Sequence, residues 1–280
     1  MNKKQEDAMQ YILTCIGMLL LMATQAARAE PIEFGILPVL STRSIITLYD
    51  PLREYLERRL GLHVILATAP DYRTYIARTQ NREFRYLMTA PHFARLAQLE
   101  SGYRPMVRVK HEQLALLLTD KATGVANLAA LRGKIIATPD SLAVVTLMGM
   151  EMLRAASLSL GKDVTLRAFP SFNSALIALR NGEVAAAFSS PVALTQMPED
   201  QRRGLITLAT SQPQLPVCYL ANPSAPPSEV AAMTHALLEF EATPEGQAFF
   251  KKTGYEGFRA LQEVDLRTMD RYVKEIKKRL

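Results

Sequence analysis

The feature that most constrains the fold is the regular alternation of short β-branched runs with longer amphipathic segments. The first such pair is a run at residues 32–37, which ends before Pro38, and a segment at residues 41–60. In that segment the apolar residues recur at spacings of three and four, so they line one face of a helix that ends at Gly61. Alternation of this kind is typical of proteins in which helices cover largely parallel sheets. We therefore predict an α/β fold.

The same periodicity predicts the remaining elements. We expect further strands at residues 63–67, 86–89, 105–109, 114–119, 134–138, 164–168, 184–188, 205–209 and 217–221. We expect further helices at residues 71–76, 91–99, 141–158, 173–180, 228–240 and 244–252, and a final helix with Leu266, Met269, Val273, Ile276 and Leu280 on one face.

The first 29 residues have the layout of a secretory signal peptide. Lys3 and Lys4 precede an apolar run at residues 11–23, and Ala27-Arg28-Ala29 follows as a small-residue cleavage pattern. The run is shorter than the roughly 20 residues that a membrane-spanning helix needs. We therefore predict an exported protein that works in the periplasm after residues 1–29 are removed.

Cysteine content and charge exclude some classes of protein. Without the signal, Cys218 is the one remaining cysteine, so no internal disulfide is expected. The formal net charge is +6, and it falls by one without residues 1–29. This excess is compatible with attracting anions. It lacks the basic clusters and aromatic platforms of a nucleic-acid interface, so we expect no nucleic-acid partner.

Motifs for catalysis and for metal binding are absent from the sequence. There is no G-x-S-x-G elbow, no glycine-rich dinucleotide or P-loop fingerprint and no H-E-x-x-H pair. The four histidines lack the spacing of metal ligands. We therefore expect a protein that is not an enzyme, with no catalytic residue, no metal and no cofactor.

One arrangement imitates the motifs of penicillin-binding enzymes and serine β-lactamases. Ser159-x-x-Lys162, Ser171-Phe172-Asn173 and Lys252-Thr253-Gly254 occur in the required order. That chemistry needs its serine at the start of a buried helix, whereas Ser159 is predicted to follow a helix end, and Gly161 interrupts the next turn. An exported enzyme is therefore the weakest of the functions considered.

Several short segments recur in an order that is typical of one family. They are Phe34-Gly35-Ile36-Leu37-Pro38, Pro51-Leu52-Arg53-Glu54-Tyr55-Leu56, Ala69-Pro70-Asp71-Tyr72, Leu131-Arg132-Gly133-Lys134, Ala175-Leu176, Asn181-Gly182-Glu183-Val184 and Thr243-Pro244-Glu245-Gly246. Through these segments, the chain from Ile32 to Gly257 resembles the phosphate/phosphite/phosphonate-binding family of ABC-transporter receptors. The resemblance implies a two-lobed fold like that of type II periplasmic binding proteins.

The resemblance also divides the chain into lobes, each a mixed sheet flanked by helices. Residues 30–115 begin lobe 1, residues 116–215 form lobe 2, and residues 216–280 return to lobe 1. Two crossing segments, near residues 114–119 and 216–221, would act as the hinge. Ligands of open α/β sheets bind beyond the carboxyl ends of the strands, so we expect a binding cleft between the lobes.

Only some of the site residues that the resemblance implies are kept. The family's tyrosine after a Pro-Asp pair corresponds to Tyr72, and its hydroxyl cluster at a helix start corresponds to Ser141, here followed by Leu142-Ala143. The family's histidine before the next helix falls near Ser171, and its aspartate at a strand end is replaced by Ala185. The scaffold is therefore kept better than the anion contacts.

The candidate ligand-binding residues are polar side chains at helix starts and strand ends that are predicted to face the cleft. For the residues at helix starts, capping of the helix is the alternative role. The candidates are Ser41, Thr42, Arg43, Tyr72, His92, Ser141, Ser171, Asn173, Ser189 and Ser190.

The sequence thus predicts a monomeric, exported receptor that captures a small oxyanion or polar organic solute of the phosphate/phosphonate-like class and passes it to an ABC permease. The alternative is an extracytoplasmic sensing component of a histidine-kinase or cyclic-di-GMP pathway, because the same fold serves both. Its partner would then be a membrane sensor protein.

Overall fold

The structure, a computed structural model, describes residues 31–280, and its strands form two sheets. The predicted signal peptide lies outside the described residues. The strands are β1 (Ile32–Ile36), β2 (Val64–Ala67), β3 (Tyr86–Thr89), β4 (Arg104–Val109), β5 (Leu116–Asp120), β6 (Lys134–Thr138), β7 (Val164–Ala168), β8 (Ala186–Ser189), β9 (Leu205–Thr210), β10 (Cys218–Ala221) and β11 (Phe258–Ala260).

Helices follow most of the strands. They are α1 (Thr42–Leu60), α2 (Tyr72–Gln80), α3 (Pro91–Ser101), α4 (Val144–Ala155), α5 (Phe172–Arg180), α6 (Pro191–Gln196), α7 (Glu199–Arg202), α8 (Pro227–Glu239), α9 (Pro244–Thr253), α10 (Glu263–Leu266) and α11 (Asp270–Lys277). Short 3-10 turns lie at Lys121–Thr123, Leu128–Leu131, Phe240–Ala242 and Arg267–Met269.

The two sheets share one plan. The first has the order β11-β4-β10-β3-β1-β2, and the second has the order β7-β6-β8-β5-β9. In the first sheet β2, β1 and β3 are parallel, and β10 lies antiparallel beside β3. In the second, β7, β6 and β8 are parallel, and β5 lies antiparallel beside β8. Two mixed sheets flanked by helices confirm the predicted fold class.

The chain passes between the two sheets at residues 110–115 and again at residues 211–217. An isolated antiparallel bridge between Gln113 and Gln214 pairs the two passages. Both passages lie a few residues earlier in the chain than the crossings predicted from the sequence. The reason is that residues 116–120 and 218–221, which were expected to cross, form internal strands of the two sheets.

Helix α1 follows its sequence signals closely. The Ser41 hydroxyl accepts a hydrogen bond from the backbone N–H of Ser44 at 3.3 Å, which caps the first turn. The helix ends at Gly61, whose φ of 66° is the left-handed conformation that glycine adopts without steric cost. Its apolar face, which includes Ile45 and Leu52, is buried against the first sheet's core.

Helix α4 is shorter than predicted, because it begins three residues later and ends three residues earlier. The Asp140 carboxylate accepts the N–H of Leu142 at 2.7 Å, and the Asp140 carbonyl accepts the N–H of Ala143 at 3.1 Å. These bonds form a separate turn ahead of the helix. The prediction that Ser141 opens this helix is therefore wrong.

The C-terminal region is also more broken than predicted. A 3-10 turn separates α10 from α11, so the final apolar face is not carried by one helix. Four of the five residues predicted to share that face are buried, whereas Leu280, beyond the end of α11, is 46% exposed. Within the described residues, no helix combines the length and apolar character that crossing a bilayer requires.

Candidate functional site

A cavity of about 690 Å³ lies where helices of both sheets begin. The first residue of each of five helices, α2 to α6, lines it: Tyr72, Pro91, Val144, Phe172 and Pro191. Each of these helices follows one of the parallel strands β2, β3, β6, β7 and β8. The cavity therefore lies at the carboxyl ends of the parallel strands of both sheets, where α/β folds bind ligands.

The helix starts differ in how their backbone N–H groups are satisfied. At α5 and α6 the N-cap serines, Ser171 and Ser190, accept from the backbone N–H three residues later at 3.1 Å. At α3 and α4 the N-cap residues are Ala90 and Ala143, which have no side chain that can accept a hydrogen bond. The first turns of α3 and α4 thus keep backbone donors without a side-chain cap.

The wall of the cavity is mainly apolar. More than half of the residues that line it are aliphatic, proline or phenylalanine. They are Leu37, Val39, Leu40, Leu48, Ala90, Pro91, Leu114, Ala143, Val144, Val145, Phe172, Pro191, Val192, Ala193 and Val217.

The charged groups of the cavity come from the first crossing segment and from the loop after α9. Among the described residues that line it, Lys110 is the one lysine or arginine, and its Nζ lies 2.7 Å from a carboxylate oxygen of Glu241. Glu112 and Glu256 also line the cavity, and both are exposed. The Lys110 ammonium is paired with Glu241. The other ionised side chains that line the cavity, Glu112 and Glu256, are acidic.

His111 and Tyr255 form a stacked pair in the lining. Their ring centroids are 5.3 Å apart and their planes differ by 21°. Burial lowers the pKa of His111, and the nearby Glu256 opposes this shift. Its Nδ1 atom is buried and has no hydrogen-bond partner among the described residues. The imidazole therefore keeps one buried nitrogen, Nδ1, that the described residues leave without a hydrogen bond.

Tyrosine hydroxyls supply further polar groups close to the cavity. Tyr49 and Tyr255 line it, and burial raises the pKa of Tyr49 well above the ordinary value, with the neighbouring Tyr255 and Tyr219 adding to the shift. The hydroxyl of Tyr219 is buried and has no hydrogen-bond partner among the described residues. These phenols stay protonated at neutral pH, so they serve as neutral donors and acceptors.

Of the ten candidate residues, Tyr72 and Ser190 line the cavity. The Tyr72 ring packs edge-to-face on Phe93, with centroids 5.6 Å apart. Burial raises the pKa of Tyr72, and the charge of Asp140 acts in the same direction. Because Tyr72 starts α2 and Asp140 follows β6, this interaction joins elements of the two sheets.

His92 lies beside the cavity, fully buried in the first turn of α3. Its Nε2 donates a hydrogen bond to the carbonyl of Leu142 at 2.8 Å, and burial lowers its pKa to about 4. The Nδ1 atom has no partner among the described residues. His92 therefore links the start of α3 to the turn before α4, and it is neutral at pH 7.

The candidates at the start of α1 do not line the cavity, although the preceding Leu40 does. Ser41, Thr42 and Arg43 are exposed and are not part of the lining, and Ser41 caps the helix. Ser141 is also exposed and outside the lining, and its carbonyl accepts from Arg279 at 3.2 Å.

The remaining candidates flank lining residues. Ser171 and Asn173 lie on either side of Phe172, which points to the cavity in their place. Ser189 is fully buried at the end of β8, and its hydroxyl has no partner among the described residues. The structure thus brings only two of the ten candidates to the cavity wall.

Two of the lining segments that were not predicted from the sequence lie far apart along the chain. One is residues 110–114 in the first crossing segment, and the other is residues 253–256 after α9. A signal for the second was present, because Gly254 and Gly257 mark a loop that carries Tyr255 between them. The replacement of hydroxyls by Leu142-Ala143 also indicated that the residues just before α4 are apolar.

The described residues carry neither a metal site nor the penicillin-binding arrangement. Residues 31–280 contain no cluster of three or more histidine, cysteine, aspartate or glutamate side chains that could hold a metal ion. Ser159 lies in the loop after α4, and Lys252 and Thr253 end α9, so neither part of the penicillin-binding pattern has the expected helix or strand context.

Comparison with known proteins points to one family. A family model described as the periplasmic substrate-binding protein of phosphonate ABC transporters matches residues 34–266. No curated protein matches the chain.

Solved structures share the fold at low sequence identity. PhnD1 from Prochlorococcus marinus in complex with methylphosphonate has a TM-score of 0.80 at 10% identity, covering 89% of this chain and 99% of that one. A binding protein component of an ABC phosphonate transporter from Pseudomonas aeruginosa has a TM-score of 0.77 at 14% identity, covering 89% and 87%. A Xanthomonas citri protein bound to chloride ion has a TM-score of 0.76 at 15% identity, covering 89% and 99%.

Proposed function

The chain belongs to the periplasmic substrate-binding proteins of phosphonate ABC transporters, and on this premise we propose that it captures a small oxyanion or polar organic solute in its cavity and delivers it to an ABC permease. The family is periplasmic, which agrees with the proposed removal of residues 1–29 on export. The protein would make and break no bond, and it would act as a monomer.

The observation that carries this proposal is the convergence of five helix starts on one cavity. The first turn of a helix has backbone N–H groups that the helix itself does not use, together with the positive end of the helix dipole. Serine caps take one of these N–H groups at α5 and one at α6. A solute with an oxygen acceptor is therefore held by groups that are already in position. Tyr72 and Ser190 are the candidate side chains placed to add hydroxyl contacts.

Closure around the two crossing segments fits the same function. We propose that residues 30–115 with 216–280 form one lobe and that residues 116–215 form the other. The bridge between Gln113 and Gln214 pairs the two crossings side by side, an arrangement that suits a hinge motion. The bond from His92 to the Leu142 carbonyl then belongs to the closed arrangement.

A thermal-shift screen tests the proposal. The panel contains phosphate, phosphite, methylphosphonate, methanesulfonate, short carboxylates and uncharged organic solutes. A ligand at about 100 times its Kd stabilises the folded state by about 2.7 kcal/mol. For a chain of this size that raises Tm by about 5–10 °C.

Matched variants on α5 place the effect in the cavity. Phe172→Ala, which removes a lining side chain, should reduce the ligand-induced shift. Ile177→Ala, at an exposed position outside the lining, should leave the shift unchanged. If no compound in the panel raises Tm, the receptor proposal is wrong.

A sensing role has support from one observation. Leu142, Ala143 and Ala185 stand where the resemblance predicts hydroxyl and carboxylate contacts, and their apolar side chains support a role other than anion transport. A sensor would bind the extracytoplasmic domain of a histidine kinase or cyclic-di-GMP protein rather than a permease. Binding assays with the purified permease and with the purified sensor domain separate the two.

A further inference from the structure

The cavity is larger than a phosphate-type anion needs. Its volume is about 690 Å³. Because each water takes about 30 Å³ of the liquid, the cavity has room for about 20 water-sized groups. A tetrahedral anion such as methylphosphonate would fill about a quarter of that space. The volume instead lies in the range of sites for organic molecules.

The side chains of the wall do not offer the contacts that a dianion needs. The first turn of α4 presents Val144 and Val145 to the cavity, and α5 and α6 add Phe172 and Val192. Enclosing a doubly charged group among such side chains removes its hydration without supplying enough hydrogen bonds in return. An apolar solute body gains free energy from the same contacts.

The side-chain charges of the lining also disfavour an anion. The ammonium of Lys110 is already paired with Glu241 at 2.7 Å. Glu112 and Glu256 lie exposed in the lining, so an incoming anion meets like charge. No other lysine or arginine among the described residues lines the cavity.

A few polar groups remain to orient one polar end of a solute. His111 and Tyr255 both line the cavity as a stacked pair, and an imidazole and a phenol can each hydrogen-bond a polar group. The N-cap position of α4 is Ala143, so the N–H groups that follow have no side-chain cap. An uncharged amide or alcohol matches this mixture of donors and acceptors.

We propose that the cavity takes an uncharged organic solute with a largely apolar body of about 10–20 non-hydrogen atoms and one polar end, and not a phosphonate or phosphate. The inference rests on the proposed receptor function and narrows its ligand class. The apolar body packs on the first turns of α4, α5 and α6. The polar end hydrogen-bonds at His111 and Tyr255.

Isothermal titration calorimetry of the mature protein tests the inference with matched probes. Straight-chain carboxamides from octanamide to dodecanamide are compared with the corresponding carboxylates and with methylphosphonate. Affinity for the amides should rise about fourfold with each methylene, with a negative heat-capacity change. Each carboxylate should bind at least about tenfold more weakly than its amide because of the acidic lining.

A pair of exposed leucines supplies the control. Leu40 lines the cavity and is 40% exposed, so Leu40→Asp should fold and should weaken octanamide binding about tenfold. Leu99, which is 53% exposed on α3 and outside the lining, provides the matched variant Leu99→Asp, and octanamide binding should be unchanged.

The outcomes separate this inference from the function on which it rests. If methylphosphonate binds more tightly than every amide, the apolar-solute inference is wrong and the receptor function stands. Amide affinity that does not depend on chain length, or that survives Leu40→Asp unchanged, also overturns the inference. If neither the amides nor the anions bind, both proposals are wrong.

Discussion

Acid should weaken this fold through His92, whose effect can be isolated with one substitution. The side chain is fully buried and donates from Nε2 to the Leu142 carbonyl at 2.8 Å. Burial lowers its pKa from the ordinary 6.5 to about 4. Because the buried ring stays neutral, the unfolded chain takes up a proton at this residue at a higher pH than the folded protein does.

The sign and size of the effect follow from that difference. As pH falls from about 6.5 to 4, the unfolded state binds the proton first, so the free energy of unfolding decreases across this window. Below pH 4 both states are protonated, and the loss from this residue is complete. Each pKa unit corresponds to about 1.4 kcal/mol, so His92 should lower stability by about 2 kcal/mol at pH 5 and by about 3 kcal/mol at pH 4.

The assay compares the wild-type chain with His92→Gln by urea unfolding between pH 4 and pH 8. A glutamine amide can donate to the Leu142 carbonyl but does not titrate, so the variant should lose about 2 kcal/mol less than the wild type between pH 7 and pH 5. Above pH 7.5 the two stability curves should run parallel, which serves as the control. Equal acid sensitivity of the two proteins would refute the reasoning.

Three further predictions concern packing and reactivity. The thiol of Cys218 is buried, and burial raises its pKa. A thiol reagent should therefore modify Cys218 only as fast as the protein unfolds. Rapid labelling of the folded protein would contradict this prediction. A Cβ at Gly149 would lie 2.4 Å from the fully buried Phe188 ring. Although alanine favours helices, Gly149→Ala should therefore lower the free energy of unfolding in urea by about 1–2 kcal/mol. A stabilised variant would show that the ring can move. Tyr272→Phe removes the hydroxyl that donates a hydrogen bond to Glu151 at 2.7 Å. The substitution should lower the free energy of unfolding in urea by about 1–2 kcal/mol. An unchanged free energy would mean that this link between α11 and α4 does not stabilise the fold.

Local patterns in the sequence were sufficient for most of the fold. The α/β class and helix α1 were predicted correctly, because a repeating apolar face, the Ser41 cap and the Gly61 stop are encoded within one short stretch of chain. The apolar replacements at Leu142-Ala143 likewise indicate a changed site from the amino-acid sequence alone. Such features depend on neighbours in sequence, which a single chain displays directly.

The wall of the cavity was decided by the tertiary structure. The sequence pattern predicts that Ser141 starts a helix. In the structure the turn at Asp140 delays the start of α4 to Val144, and Ser141 does not line the cavity. His111 and Tyr255 are far apart in sequence, and only the passage between the sheets and the loop after α9 bring them together.

The sequence by itself therefore determined the succession of strands and helices and the family of the chain, since both are written in local spacing and in short segments. The tertiary structure alone decided which strands are internal to the sheets and which helix starts line the same cavity. It also decided that the wall of this cavity is mainly apolar. The physical reason is that periodicity records which side of an element is buried, whereas a cavity depends on contacts between residues that are distant along the chain.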